Sequence, residues 1–222
     1  MSHLSLIRTS DGSHSVYNSL LNEHYHSTFG ALRESNHVFI EAGLKSLTVI
    51  PKPLRILEVG FGTGLNALFT LLESKRPDLK IEYTALEPFP LDQIILNELN
   101  YISFPCLSDM APEFNLMHSV QSGVLDLSEN FRLIRSTAGL IDSALTPAHL
   151  IYFDAFAPDV QPELWTAGVF QKLYDCLQPG GVLVTYCAKG EVKRNMKKAG
   201  FAIERLAGPP GKREMTRATR KA

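Results

Sequence analysis

The sequence is poor in cysteine and has no long apolar run. Its cysteines are odd in number and lie far apart, at Cys106, Cys176 and Cys187, which fits reduced thiols better than a disulfide framework or a zinc cluster. No apolar run approaches the roughly 18 residues typical of a membrane span. The opening residues, MSHLSLIRTSDGSHS, have the pattern of neither a secretion signal nor a transit peptide. We therefore expect a cytoplasmic protein without a membrane segment.

Charge is unevenly distributed, although the formal net charge is only -1. Residues 189–222 contain 11 of the 22 lysines and arginines but only 3 acidic residues. The first 188 residues contain 11 basic and 20 acidic side chains. Such asymmetry is typical of a protein with one surface that meets a polyanion. A solvated helix face followed by a frayed terminus would give the same pattern.

Apolar periodicity predicts alternating strands and helices between residues 54 and 207. Strands are expected at 54–60, 81–87, 131–137, 149–156, 182–188 and 201–207. Helices are expected at 67–72, 91–99, 139–145, 162–177 and 190–199. This rhythm indicates one α/β domain with a parallel sheet. We assign residues 51–222 to that domain, with a basic C-terminal segment, and residues 1–50 to an N-terminal extension packed on it.

Glycines occupy alternate positions after the first predicted strand, at Gly60, Gly62 and Gly64 in the motif EVGFGTGLN (58–66). Glycine permits tight turns and lets a ligand approach the backbone closely. A dinucleotide site prefers a third small residue at the position of Leu65, whereas Gly-x-Gly-x-Gly is typical of an S-adenosylmethionine loop. The motif therefore favours S-adenosylmethionine as the cofactor, with a purely structural turn as the alternative.

Polar side chains flank this loop and are assigned to the same site. Glu87 ends the second predicted strand, 23 residues after Gly64, about where a Rossmann-like fold places an acid against ribose hydroxyls. Glu58 is expected either to support the loop by hydrogen bonds or to contact the methionine amine of the cofactor. Asn66, the last residue of the motif, is also assigned to the cofactor. For Glu87, a solvated strand end is the alternative.

Asp154 ends a strongly apolar predicted strand, HLIYFD. In doubly wound sheets, ligands bind at this carboxyl edge. A carboxylate there could hydrogen-bond an attacking amine, hold it in line with the sulfonium methyl group, and accept its proton. The sequence therefore predicts that methyl transfer occurs at Asp154, with a structural turn aspartate as the alternative.

Several segments together resemble a known enzyme family. They are LEVGFGTGLN, ALEPFPL, YFDAFAPDVQPELW, LQPGGVLVTY and GPPGKREM, together with the N-terminal stretch DGSHSVYNSLLNEHYHSTFGALRESNHVFIEAGL. They look like the methyltransferase half of the bifunctional tRNA wobble-uridine enzyme MnmC, and still more like its stand-alone relatives, the MnmD type. The likeness extends over nearly the whole chain.

The resemblance implies a Rossmann-like class I S-adenosylmethionine-dependent methyltransferase fold. Its sheet would be mostly parallel and seven-stranded, with helices on both faces. The implied reaction methylates the exocyclic amine of 5-aminomethyl-2-thiouridine at the tRNA wobble position. The three glycines would form the cofactor loop, Glu87 would bind the ribose, and Asp154 would lie at the transfer site. Phe156 and Pro158 would shape the substrate pocket, and we expect Trp165 to pack in the core.

Two departures from the family pattern bear on function. Where many such methyltransferases place an acid that reads the adenine amine, this sequence offers Thr137, with Asp142 a helical turn beyond. We assign Thr137 to the cofactor on this basis. The 222 residues contain no second Gly-rich fingerprint for a flavin-dependent half, so a functional link to enzymes that install the aminomethyl group is expected.

Further substrate contacts are assigned to both ends of the chain. Tyr25 and His26 are expected to cover the cofactor or to approach the flipped base. Lys212 and Arg213, with Arg217, follow the Gly-Pro-Pro-Gly turn and are expected to hold tRNA phosphates. A basic helical surface is expected from Lys189, Lys193, Arg194, Lys197 and Lys198. No metal is expected at His24, His26 or His37, because no carboxylate or Cys stands at a usual ligand spacing.

Three other functions fit parts of the pattern. A methyltransferase of a small amine metabolite would share the fold and the cofactor site. A spermidine-synthase-like enzyme would share the fold, but the basic tail argues against a polyamine substrate. An RNA-binding module with a vestigial loop is disfavoured because the glycines, Glu87 and Asp154 are all intact.

Overall fold

A computed structural model describes residues 3–221. Its N-terminal part forms a small antiparallel sheet in the order β1-β2-β3, with β1 at Leu4–Arg8, β2 at His14–Asn18 and β3 at Glu23–His24. Helix α1 (Ala31–Ser35) runs into a π-helical turn at Asn36–Glu41, and a 3-10 turn follows at Leu44–Ser46. Phe39 in the π-helical turn is 1% exposed and shares the apolar core with the strands described next. This packing fastens the N-terminal segment to the rest of the fold.

The main sheet has eight strands in the order β10-β11-β9-β8-β4-β5-β7-β6. Strands β9, β8, β4, β5 and β7 are parallel neighbours, whereas β11 runs antiparallel to β9 and to β10, and β6 runs antiparallel to β7. The bounds are β4 Leu54–Val59, β5 Ile81–Leu86, β6 Gly123–Ser128, β7 Phe131–Ser136, β8 Ala148–Phe153, β9 Leu177–Thr185, β10 Ala202–Ala207 and β11 Glu214–Thr219.

Helices connect these strands and lie on both faces of the sheet. Their bounds are α2 Leu65–Glu73, α3 Gln93–Asn97, α4 Ala111–Met117, α5 Ala167–Cys176 and α6 Gly190–Lys198. Short 3-10 turns occur at Tyr101–Ser103, Ser108–Met110 and Pro162–Trp165. No helix in residues 3–221 combines the length and the apolar character that crossing a bilayer requires.

Alternate residues of the central strands pack into two separate apolar cores. Ile56 and Tyr152 point to the face covered by α2 and the N-terminal segment. Their chain neighbours Leu57 and Phe153 point to the face covered by α5 and α6. This is the period-two alternation of a sheet buried on both sides. Trp165 is 3% exposed and meets the Phe153 ring edge-on at 4.8 Å, so its predicted packing role is confirmed.

The predicted fold class is confirmed, but the strand count of seven is wrong. Strand β6 adds an antiparallel edge to β7. Only Leu127 among its six residues is buried, so β6 lacks the run of buried apolar residues by which the inner strands were predicted. The strand expected at 201–207 is not the last one, since β11 follows inside the basic segment. The helix expected at 139–145 is a turn. Pro147 follows closely, and the residue before a proline avoids helical geometry.

Candidate active site

A cavity of about 1230 Å³ opens at the carboxyl ends of β4, β5 and β8. The central strands β4 and β8 deliver Gly60 and Asp154 to its wall, and β5 delivers Glu87. Small-molecule pockets usually occupy about 300–1,000 Å³, so this cavity has room for a cofactor and part of a second molecule. The N-terminal segment and the segment after β10 close it from the other side.

The three glycines after β4 all adopt positive φ angles, at +88° for Gly60, +49° for Gly62 and +76° for Gly64. A Cβ at Gly60 would lie 2.5 Å from the backbone oxygen of Asp154, and a Cβ at Gly62 would lie 3.1 Å from the ring of Tyr25. The loop can follow this path along the cavity wall only because these two positions have no side chain. Gly60 and Gly62 line the cavity, and Gly64 begins helix α2.

Glu87 is fixed by the same loop that it borders. Its Oε2 accepts the Gly62 N–H at 2.8 Å, and its Oε1 accepts the Phe89 N–H at 2.9 Å. Burial raises the pKa of Glu87, and these two backbone donors oppose that rise. Each carboxylate oxygen keeps a further lone pair for a hydroxyl. The position and acceptor set suit a vicinal diol of a ribose.

Asp154 lies directly after β8 and lines the cavity. Its Oδ2 accepts a hydrogen bond from Asn66 Nδ2 at 2.8 Å. Burial and the negative charge of Glu34 raise the pKa of Asp154 to about 7, whereas Asn66 and Lys212 lower it. A carboxyl group with this pKa exchanges a proton near neutral pH, as a general base requires.

Asn66 joins Asp154 to a second buried acid. Its Nδ2 also donates to Glu58 Oε1 at 2.9 Å, and Ser35 Oγ donates to its Oδ1 at 2.5 Å. Burial raises the pKa of Glu58 well above its ordinary value. Among the described residues that line the cavity, neither Glu58 nor Asn66 is present. The structure thus places both behind the wall, where they support the loop and orient Asp154.

Tyr25 and His26 form the N-terminal wall of the cavity. The Tyr25 ring meets Phe156 edge-on at 5.0 Å, beside Gly62. His26 Nε2 lies 2.8 Å from Thr63 Oγ1 inside the glycine loop. Burial lowers the pKa of His26 to about 4, so the ring is neutral at pH 7. His26 therefore fastens the N-terminal segment to the loop, and contact of either residue with a substrate stays a prediction.

Lys212 reaches the cavity from the turn between β10 and β11. Its Nζ lies 2.6 Å from Glu34 Oε1 and 3.9 Å from the centre of the Tyr186 ring. The Tyr186 hydroxyl donates to the Ala155 carbonyl at 2.8 Å. These contacts place a charged pair beside the carboxyl group of Asp154. Sequence reasoning missed Tyr186 and the pairing of Glu34 with Lys212, because no local pattern links two residues that lie 178 positions apart.

The remaining predicted residues are divided between the cavity and its surroundings. Phe156 lines the cavity, but Pro158 and Arg213 are not among the described residues that do. Thr137 is exposed and also lies outside that set, whereas Asp142 lines the cavity. The structure therefore gives no support to Thr137 as a cofactor contact. Asp142 is the acid closest in sequence to Thr137 that lines the cavity.

Three comparisons with known proteins agree with this geometry. A family model described as an S-adenosyl-L-methionine-dependent methyltransferase matches residues 127–221. The bifunctional protein MnmC of tRNA 5-methylaminomethyl-2-thiouridine biosynthesis from Burkholderia mallei (strain SAVP1) is 28% identical over 95% of this chain. The crystal structure of MNMC2 from Aquifex aeolicus superposes with a TM-score of 0.82 at 27% identity, covering 100% of this chain and 72% of that one. The resemblance seen in the sequence is confirmed.

The fold class and the dependence on S-adenosylmethionine predicted from the sequence are confirmed with it. The chain spans 34% of the length of the Burkholderia relative. Spermidine synthase from Thermotoga maritima also superposes, with a TM-score of 0.56 over 98% of this chain and 68% of that one. At 12% identity, this second likeness shows the fold alone.

The basic surface of this methyltransferase fold is smaller than the sequence predicted. Lys193 is 7% exposed and pairs with Glu214 at 2.9 Å. Arg217 pairs with Glu204 at 2.7 Å, and Lys189 pairs with Asp159. Within residues 3–221, the exposed basic side chains without an ion pair in the predicted set are Arg194, Lys197, Lys198 and Arg213. Helix α6 is therefore basic on one face only.

His24 and His37, the other histidines that the sequence singled out, make ordinary ring and hydrogen-bond contacts. His37 Nε2 lies 2.8 Å from the Ala207 carbonyl, and His24 packs against Tyr17. No group of three or more His, Cys, Asp or Glu side chains in residues 3–221 is arranged to hold a metal ion. Cys176 and Cys187 are buried, and Cys106 is exposed as a free thiol.

Proposed function

We propose that this chain transfers a methyl group from S-adenosylmethionine to the exocyclic amine of 5-aminomethyl-2-thiouridine at the wobble position of tRNA. The product is 5-methylaminomethyl-2-thiouridine. The observation that carries the proposal is the half-buried carboxyl group of Asp154, which Asn66 Nδ2 holds at 2.8 Å and whose pKa burial raises to about 7. It lies in the same cavity as the glycine loop and Glu87. The names and the similarity of the MnmC relatives supply the substrate.

The residues of the loop fit the proposed cofactor. A Cβ at Gly60 would overlap the backbone oxygen of Asp154, and one at Gly62 would press on the Tyr25 ring, so this shape of the loop depends on glycine. Glu87 offers two carboxylate oxygens beside this cradle, and Asp142 lines the cavity at the end expected to take the adenine. The bound cofactor supplies an activated methyl group on its sulfonium. The glycine loop and Glu87 would bind that donor.

Asp154 orients the acceptor and takes its proton. The amine must be neutral when it attacks, because an ammonium has no lone pair. A bound S-adenosylmethionine would give up its sulfonium methyl group to the nitrogen, and Asp154 Oδ would accept the proton that the nitrogen then loses. Asn66 fixes that carboxyl group through a bond of 2.8 Å. We expect positioning to contribute more than proton transfer, because the sulfonium needs no further activation.

The wobble uridine is accessible to a small protein. It lies in a single-stranded loop, so turning its base outward costs less than extracting a base from a duplex. Arg194, Lys197, Lys198 and Arg213 are exposed and are the side chains expected to meet phosphates. Action on tRNA implies the cytoplasm as the location, and enzymes that install the aminomethyl group as a functional link. Both are part of the proposal.

The experiment measures transfer of labelled methyl groups to tRNA from a strain that lacks this enzyme. Nucleoside mass spectrometry should detect new 5-methylaminomethyl-2-thiouridine. Asp154→Asn should lower kcat by at least about 100-fold, the usual effect of losing a general base, with little change in cofactor affinity. If the tRNA takes up no label while the protein binds S-adenosylmethionine, a small amine becomes the substrate. Equal losses of turnover and cofactor affinity would assign Asp154 to cofactor binding instead.

A further inference from the structure

Phe29 is a large apolar side chain that remains 52% exposed at the mouth of the cavity. It lies in the turn before α1, where its backbone N–H donates to Ser27 Oγ at 3.2 Å. Ser27 in turn donates its N–H to Glu34 Oε2 at 2.7 Å. The turn is therefore held to the charged pair beside Asp154. Phe29 is exposed because of where the turn holds it, and its ring is available to a ligand.

Gly211 fixes the ring of Phe29 from the opposite end of the chain. Gly211 has a φ of +84°, and any Cβ there would overlap the Phe29 ring. The ring thus packs on bare backbone, which leaves about half of the side chain exposed. A flat aromatic surface fixed on one side and open on the other can stack a nucleobase.

The surroundings of Phe29 have the charge that a nucleotide requires. Arg213, two residues after Gly211, is exposed and forms no ion pair within the part of the chain that the structure describes. Lys212 lies between them, and its ammonium sits over the Tyr186 ring. The Tyr186 hydroxyl holds the carbonyl of Ala155, next to Asp154. A short series of contacts thus leads from the transfer site to Gly211 and Phe29, and Arg213 follows Gly211 in the same segment.

We propose that Phe29 stacks the nucleobase adjacent to the target uridine in the anticodon loop, and that Arg213 pairs with a phosphate beside it. This inference rests on the proposed function, because it needs an RNA substrate. Stacking on an aromatic ring is tolerant of sequence. The site therefore discriminates a target uridine embedded in RNA from a free nucleoside, without reading the neighbouring base.

Two substitutions separate stacking from packing. Phe29→Leu keeps an apolar contact with Gly211 but removes the aromatic face, whereas Phe29→Tyr keeps both. Ile94→Ala is the matched control, because Ile94 is also exposed, at 74%, but is not among the described residues that line the cavity. Each variant is assayed for kcat/KM on an anticodon stem-loop RNA carrying 5-aminomethyl-2-thiouridine and on the free nucleoside. Calorimetric binding of S-adenosylmethionine checks that the cofactor site is intact.

The expected result is a loss in one substrate only. Phe29→Leu should lower kcat/KM for the stem-loop by roughly 10- to 100-fold, the range measured for one stacked base. It should leave the value for the nucleoside unchanged, and Phe29→Tyr and Ile94→Ala should match the wild type on both. Unchanged activity of Phe29→Leu on the stem-loop, or an equal loss on the nucleoside, would overturn the inference and leave the proposed function in place. A wild-type protein that methylates neither substrate would overturn both.

Discussion

Replacing Asn66 by leucine should move the acid limb of the pH–rate profile to higher pH. Asn66 Nδ2 donates to Asp154 Oδ2 at 2.8 Å, and this bond favours the ionised carboxylate. Leucine has a similar size but no donor. Asp154 then holds its proton more tightly, so a larger share of the enzyme lacks its base at neutral pH.

The size of the shift follows from the bond that is lost. A hydrogen bond to a charged group contributes about 1.5–3 kcal/mol, and one pKa unit corresponds to about 1.4 kcal/mol. The pKa of Asp154 should therefore rise by about 1–2 units from its value of about 7. Glu58 loses the same donor, which adds to the rise in its pKa that burial already causes.

The assay measures kcat from pH 6 to pH 10 at saturating S-adenosylmethionine and RNA. At pH 7, Asn66→Leu should be about 5- to 50-fold slower, and most of the deficit should disappear above pH 9. Ser35→Ala is the control, because it removes the hydroxyl group that donates to Asn66 Oδ1 but keeps the hydrogen bond from Asn66 to Asp154. In Ser35→Ala, the pKa of Asp154 should stay within about half a unit of its wild-type value. A loss that is equal at every pH would show that Asn66 supports packing alone.

Three further results are expected. Gly62→Val should weaken S-adenosylmethionine binding by at least about tenfold in calorimetry, since a branched residue at φ +49° is strained, whereas Gly168→Ala, whose Cβ would meet Thr166 Oγ1 at an ordinary 4.0 Å, should bind normally. Asp154→Asn should stabilise the protein by up to about 4 kcal/mol at pH 8 and by little at pH 4, because the raised pKa of Asp154 makes wild-type stability fall as pH rises through about 7; denaturant unfolding that gives the same difference at both pH values would contradict this. Changing Lys197 and Lys198 to Gln should reduce the salt dependence of KM for tRNA by about 0.7 in log–log slope for each lost phosphate contact, and an unchanged slope would exclude helix α6 from the interface.

The sequence predicted the central strands and the glycine loop, which short runs of residues determine. The apolar strands that became β4, β5 and β8 and the glycines between β4 and α2 are each determined by a short run of residues. The carboxyl ends of parallel strands meet at one edge, which explains why Glu87 and Asp154 were correctly expected near one another. Strand β11 was missed because its buried residues, Met215, Thr216 and Ala218, include only one large apolar side chain.

The roles of side chains behind the cavity wall could not be read from the sequence. Asn66 follows the glycine motif directly and so suggested a cofactor contact, yet its amide points to Glu58 and Asp154. Lys193 occurs at helical spacing with exposed lysines, yet it is buried against Glu214. Both outcomes depend on tertiary partners that a helical period does not encode. Whether a charge is free or paired is decided by the tertiary structure.

The bond between Glu34 and Lys212 has a consequence for the order in which the pocket assembles. Whereas the contacts of Ser35 with Asn66 and of His26 with Thr63 span only 31 and 37 positions, this bond joins residues 178 positions apart. Closing contacts of such large sequence separation delays folding, because chain entropy is lost before the contact forms. During synthesis, the glycine loop emerges long before Lys212 does. A nascent chain can thus build its central strands early, but the transfer pocket becomes complete only when the residues around Lys212 have left the ribosome.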